Sequence, residues 1–309
     1  MARKRILFLL PTNVGDFILS TPVLRFFQEK IPHSIWDVIV GEGASNLIEK
    51  YPLIGNLYFP ENFRGFRGKM SLYDRLREFR YYAVVDLRKT AFPFLLDTRR
   101  RYYRFRKARG HAVHEYFSIL RKEHVKQFPG FFTVTTEADL LSVHRILKSR
   151  GIEPNSSFIG LNPDANWDRK RWEPEKWEEL IRILKDRLPE VIFLVTGLKK
   201  RLRAMPDVCD LSGELNLREL AEVLKLCRLY ISNDSGPMHL SVAVGTLTLG
   251  IFGPSLPERY APYGMKNSYY KNQSLCKICL TTSCDKDFWC LKNTDPGEIA
   301  EIALEMVGK

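Results

Sequence analysis

Short apolar runs alternate with amphipathic stretches along the whole chain. Residues 5–10, 36–40 and 82–86 read as buried strands, and residues 17–30, 71–80, 111–122 and 137–149 carry helical periodicity. Turn-forming residues at 150–157, including Gly151, Pro154 and Asn155, then interrupt the pattern. It restarts with a strand at Phe158–Asn162 and a helix at Pro174–Arg187, whose Trp177, Leu180, Ile181, Leu184 and Leu188 share one face. Strands are expected at 191–196, 229–232 and 246–252. A helix over 217–227 is capped by Asn216 with Glu219 three residues on, another follows Pro237, and a last one begins at Asp295-Pro296-Gly297-Glu298. Alternation of this kind predicts parallel sheets covered by helices, in two doubly wound Rossmann-like domains, 1–154 and 155–309, with a cleft between them.

A chain of 309 residues is long enough for two such cores, and no apolar run reaches bilayer-spanning length. The start, MARKRILFLLP, imitates a secretion signal. Its apolar part, however, covers only residues 6–10 before Pro11, so it reads as a first buried strand in a cytoplasmic protein.

The net charge of +12 is unevenly spread: residues 1–154 hold 27 basic and 15 acidic side chains, and residues 155–309 hold 21 of each. The excess is densest at residues 99–109, RRRYYRFRKAR, with Arg64, Arg67 and Lys69 upstream. Three readings stay open: a solvated face, a site for a phosphorylated or membrane-surface substrate, and nucleic-acid binding. Against the last, the stretch has no nucleic-acid motif and the second half is neutral, so no nucleic acid is expected as a partner.

Ligands of open parallel sheets sit beyond the carboxyl ends of strands, which singles out three loops. The first, Pro11-Thr12-Asn13-Val14-Gly15-Asp16, sets a carboxylate at a helix entrance. The second runs from Asn162 to Trp172 and carries three consecutive cations, Arg169-Lys170-Arg171. The third is Asn233-Asp234-Ser235-Gly236-Pro237, where an apolar run meets a new helix. Ser235 suits the N-cap, Pro237 the first turn, and Gly236 close approach of a ligand, so the helix amides and dipole are available to an anion. His239 lies one turn into that helix.

In their order and spacing these loops resemble family-nine glycosyltransferases, the family of the ADP-heptose:lipopolysaccharide heptosyltransferases. The resemblance rests on the Gly15-Asp16 turn, the Lys170-Arg171-Trp172 step and residues 232–239. It implies GT-B architecture, with the acceptor on the N-terminal domain and the nucleotide sugar on the C-terminal one. It also implies inverting transfer of a heptose from ADP-heptose to a phosphorylated lipopolysaccharide inner-core (Kdo-lipid A) acceptor, without metal or cofactor, by a protein peripheral on the inner membrane. Under it Asp16 is the base, and Lys170, with Arg171 and the helix mouth, meets the departing diphosphate. Asn162, Asp234, Ser235, Gly236 and His239 complete the donor side. Thr12, Asn13, Arg99, Arg100, Arg101 and Arg104 are expected on the acceptor side. The family's acidic residue after the strand at 191–196 is missing, where this chain has Gly197-Leu198-Lys199-Lys200-Arg201, so the donor base is left open.

Other signals are weaker. Gly41-Glu42-Gly43 begins a dinucleotide fingerprint, but position 46 is Asn. Asp285-Lys286-Asp287 has metal-binding spacing but no evident strand end. Cys276, Cys279, Cys284 and Cys290 form a cluster open to structural zinc, disulfides or unligated thiols, whereas Cys209 and Cys227 read as core. Two alternatives remain open: a family member using another nucleotide sugar, and a non-catalytic basic module that binds nucleic acid or anionic membrane.

Overall fold

Ile6, Leu7, Phe8 and Leu9 are all buried, so strand β1 (Arg5–Leu9) is covered on both faces, as its unbroken apolar run predicts. The structure is a computed structural model describing residues 3–103, 110–125, 127–272 and 289–308. Its two compact units are Met1–Val134 and Thr135–Lys309.

In the first unit β2 (Ile35–Ile39), β3 (Ile54–Tyr58), β4 (Tyr81–Asp86) and β5 (Thr98–Tyr103) join β1 in one parallel sheet, ordered β3-β2-β1-β4-β5. The second unit contains β6 (Phe158–Asn162), β7 (Ile192–Val195), β8 (Val208–Asp210), β9 (Cys227–Asn233), β10 (Thr248–Ile251) and β11 (Ser268–Tyr270). They are again parallel, in the order β11-β10-β9-β6-β7-β8. Each sheet starts at its centre and reverses direction between its first and fourth strands. Two topological switch points result, one between β1 and β4 and one between β6 and β9, and this is where doubly wound sheets bind ligands.

The first connection shows how sequence sets shape. Helix Val14–Lys30 contains Pro22, which cannot donate a hydrogen bond back to Ile18. The Thr21 hydroxyl donates to the Ile18 carbonyl instead, at 2.8 Å, and Ser20 donates to Phe17 at 2.6 Å. The helix therefore continues to Lys30 and buries Phe17, Val23, Leu24 and Phe27.

The expected domain boundary at 154/155 moves ahead of helix Glu137–Lys148, since the division falls between Val134 and Thr135. The reason is its packing. Asp139 accepts Arg218 Nε on both carboxylate oxygens at 3.1 Å, Ser142 donates to Glu219 at 2.7 Å, and Val143 and Leu147 share a core with Phe158, Leu194 and Val223. A capping box, Thr136 with Asp139, starts this helix.

Candidate functional site

The switch point of the second unit gathers the strongest chemistry. Strand β6 delivers Asn162, 1% exposed, whose amide donates to the hydroxyls of Ser232 at 3.1 Å and Ser235 at 2.8 Å. Ser235 occupies the N-cap of helix Gly236–Ala243 as expected. Its side chain nonetheless makes no capping bond, because the hydroxyl is taken by Asn162. With Pro237 in the first turn and no side-chain cap, the helix mouth keeps its dipole for a ligand. His239 is buried in the same helix.

Lys170 and Asp234, expected to act separately, form an ion pair with Nζ 2.5 Å from Oδ2. The carboxylate is 5% exposed and the ammonium 23%, so the cation is held at the site by a nearly buried anion. Lys170 and Arg169 also lie over the exposed Trp167 ring, at 5.4 and 5.2 Å. Arg171 pairs with Asp168 and with Asp164, and donates to the Ala165 carbonyl at 2.9 Å. Trp172 is buried, with its backbone N–H on Asn233 Oδ1 at 3.3 Å. The Asn233 side-chain nitrogen, wholly buried beside Asp234, has no hydrogen-bond partner among the described residues.

Asp164 organises the neighbouring strand ends, and sequence reasoning missed it. Its carboxylate accepts the amides of Leu198 at 3.0 Å and Lys199 at 3.2 Å, and Arg201 at 3.0 Å. An acid therefore does stand at the end of β7, but it is supplied by the loop after β6. Gly197 permits this approach: at φ +150°, a Cβ there would lie 2.8 Å from Asp164 Cβ. The signal that could have found it is its position, two residues beyond a buried strand.

In the first unit, Asp16 is half-buried at the first turn of helix Val14–Lys30 and accepts the Tyr116 hydroxyl at 3.0 Å. Thr12 and Asn13 are exposed beside it. Gly41, read above as the start of a weak fingerprint, has a different role: a Cβ there would sit 2.4 Å from the Thr12 carbonyl. It lets two strand-end loops touch. On the other side of the switch point Asp86 closes a turn, accepting Arg88 N at 2.8 Å, Thr90 N at 2.6 Å and the Thr90 hydroxyl at 2.9 Å. Burial holds its carboxyl above the ordinary value, against the pull of those bonds. The turn displays Arg88 and Lys89, the latter at φ +62°, two further cations near the end of β1.

The arginine run does not form one cluster. Arg99, Arg100 and Arg101 lie on edge strand β5, where successive side chains face opposite ways. Arg100 joins Glu123, which also takes the Tyr102 hydroxyl and Lys30, whereas Arg101 donates to the Pro93 carbonyl at 2.6 Å. Burial, and then the Glu123 hydrogen bond, push the Tyr102 hydroxyl up to about 12. Arg104, Cys276, Cys279 and Cys284, together with Asp285-Lys286-Asp287, lie outside the described residues. Cys290 is buried, and so are Cys209 and Cys227, as expected of core residues. Among the described residues no group of three or more His, Cys, Asp or Glu is placed to hold a metal ion.

Two doubly wound parallel-sheet units are the GT-B architecture, and the family that the sequence matches makes the chain a glycosyltransferase. The chain belongs to glycosyltransferase family 9 (heptosyltransferase), whose family model matches residues 88–289. It is 24% identical to lipooligosaccharide heptosyltransferase 2 of Campylobacter jejuni, over 94% of this chain and 96% of that one. Among solved structures, the family 9 glycosyl transferase of Veillonella parvula matches with a TM-score of 0.79 at 21% identity, covering 98% of this chain and 97% of that one. The E. coli ADP-heptose LPS heptosyltransferase II matches with a TM-score of 0.74 at 19% identity, covering 98% of each.

Proposed function

We propose that this heptosyltransferase moves a heptose from ADP-heptose to a phosphorylated inner-core acceptor of lipopolysaccharide, Kdo-lipid A, with inversion and without a metal ion. The observation that carries the reading is the held lysine, with Lys170 Nζ 2.5 Å from Asp234 beside an uncapped helix mouth. A departing nucleoside diphosphate gains negative charge, and a fixed cation with preoriented amides stabilises that charge without reorganising. The names of the Campylobacter and E. coli relatives support a heptose donor and a lipopolysaccharide-type acceptor.

In this reading the second unit holds the nucleotide sugar. Lys170, Arg171 and the amides after Ser235 meet the diphosphate, Asn162 sets the Ser235 loop, and Asp234 takes a sugar hydroxyl while positioning Lys170. His239 lines the same helix. The first unit holds the acceptor, and Asp16, oriented by Tyr116, removes the proton from its hydroxyl as that oxygen attacks the anomeric carbon. Thr12, Asn13 and Arg100 of β5 serve the acceptor, whose phosphates match the basic excess of this half. Among the described residues no helix is long and apolar enough to cross a membrane. A lipid-linked acceptor would itself bring the enzyme to the inner membrane as a peripheral protein on the cytoplasmic side.

Calorimetric titration with ADP, GDP, UDP and ADP-heptose in the presence of a chelator tests the donor. Selective binding of the adenine ligands is expected. Preference for another nucleotide would keep the transferase and replace the donor, and binding that requires a divalent ion would overturn the metal-independent mechanism.

A further inference from the structure

The first unit exposes large apolar side chains on three adjoining elements. Phe66 and Met70, 79% and 43% exposed, lie four residues apart on helix Gly65–Leu76 and so share one face, which Tyr73 continues. The Tyr73 hydroxyl reaches the Leu95 carbonyl at 3.4 Å, in the short helix Phe92–Leu95. There Phe94 and Leu95 are 51% and 57% exposed, and the Phe94 ring meets Tyr103 of β5 at 4.8 Å, edge to face. These contacts bring the three elements, and with them the exposed apolar side chains, together at the β5 edge of the sheet.

The border of the patch is cationic. Arg64, Arg67 and Lys69 flank Phe66, and strand alternation puts Arg99 and Arg101 on the Tyr103 side of β5. Arg64, Arg67, Lys69 and Arg99 are exposed and form no ion pair among the described residues. Two acids on the same elements pair with other arginines, Asp74 with Arg77 at 3.4 Å and Asp97 with Arg80 at 3.0 Å. Exposed apolar side chains flanked by cations that form no ion pair match the depth profile of an anionic leaflet, with phosphates outermost and acyl chains beyond.

We propose that this face docks the enzyme on an anionic bilayer, Phe66, Met70, Phe94 and Leu95 entering the headgroup boundary while Arg64, Arg67, Lys69 and Arg99 meet lipid phosphates. The inference extends the proposed function and rests on its reading of the acceptor as lipid-linked. It also divides the arginine run between two tasks, because Arg100 faces away and is held by Glu123.

The test is co-sedimentation of the full chain with phosphatidylcholine vesicles carrying increasing phosphatidylglycerol, without donor or acceptor. Binding should rise with the anionic fraction and fall with salt. Phe66→Ser/Leu95→Ser and Arg64→Gln/Arg67→Gln should each weaken it about tenfold or more, while ADP affinity and turnover on a delipidated core saccharide stay at the wild-type level. Wild-type protein that ignores anionic vesicles would overturn the proposal, and so would binding that responds to salt but not to Phe66→Ser/Leu95→Ser. Because no sugar is present, either failure leaves the proposed transfer standing, and loss of heptose transfer with intact vesicle binding would refute the reaction alone.

Discussion

Replacing Lys170 with alanine should separate the structural from the chemical role of the Lys170–Asp234 pair. The substitution strips a carboxylate that is 5% exposed of the ammonium at 2.5 Å. Breaking a fully buried pair costs about 3–5 kcal/mol. Lys170 is 23% exposed, so solvent already screens part of the attraction, and the expected loss is about 2 kcal/mol. Urea unfolding reads this as a lower midpoint at unchanged slope. The same variant should bind ADP about 10–100-fold more weakly, the value of a charge-assisted contact of about 1.5–3 kcal/mol. Lys170→Ala/Asp234→Asn removes the stranded charge and should recover most of the stability but none of the ADP affinity. Asp234→Asn alone leaves the cation without its counter-charge. It should therefore hold ADP at least as well as wild type, while losing the extra affinity for ADP-heptose. A double variant that binds ADP normally would remove Lys170 from the diphosphate site, and wild-type stability in Lys170→Ala would show the pair to be energetically idle.

Asp16→Asn should lower turnover by about 10²–10⁴-fold with donor affinity unchanged, as removal of a general base predicts, and a variant that keeps full rate would dismiss Asp16 as base. Asp164→Ala takes the carboxylate from Arg201, leaves Arg171 with Asp168 alone, and frees the amides of Leu198 and Lys199, so urea unfolding should register a loss of about 2–4 kcal/mol. Acidification should report on Asp139. Burial raises its carboxyl, but the Thr136 bonds and then Arg218 outweigh this and hold it below the ordinary value. A carboxyl depressed in the folded state contributes stability above its unfolded value near about 4, and that stability is lost as pH falls through the folded value. Asp139→Asn should flatten the acid limb of a stability–pH curve and lower its neutral plateau by about 1–3 kcal/mol, and an unchanged acid limb would refute the assignment.

How much of this was legible in the sequence follows from where each determinant lies. The central strands and the turn at residues 229–239 carry their instructions locally: an apolar run buries itself, and Ser, Gly and Pro shape the mouth of the next helix. Strands β3, β5, β8 and β11 went unread because outer strands are short or half-buried. In β5 three arginines hide the pattern altogether, since only Thr98 and Tyr102 are buried. The domain boundary was misplaced because an amphipathic helix does not state which neighbour it will cover, and the deciding Asp139–Arg218 contact spans 79 positions. Ser235 stands at the N-cap as its local sequence indicates, but what its hydroxyl does was not legible there, since it is engaged by Asn162 from 73 residues away.

The acid after β7 is the most instructive case. Its absence from the segment 197–201 was a correct observation about the chain, yet the inference of an acid-free strand end does not follow. Parallel pairing aligns Leu161 with Val195, which brings the loops after β6 and β7 to one rim, and either loop can place a carboxylate there. Asp164 does so from 34 residues away, and Gly197 supplies the room. The same geometry puts Asn162 beside Ser232 and Lys170 beside Asp234, so the chemistry of a doubly wound sheet belongs to the rim and not to any single loop. A carboxylate expected from one strand-end loop can thus be supplied by its neighbour, and a motif confined to one loop does not report the charge of the rim.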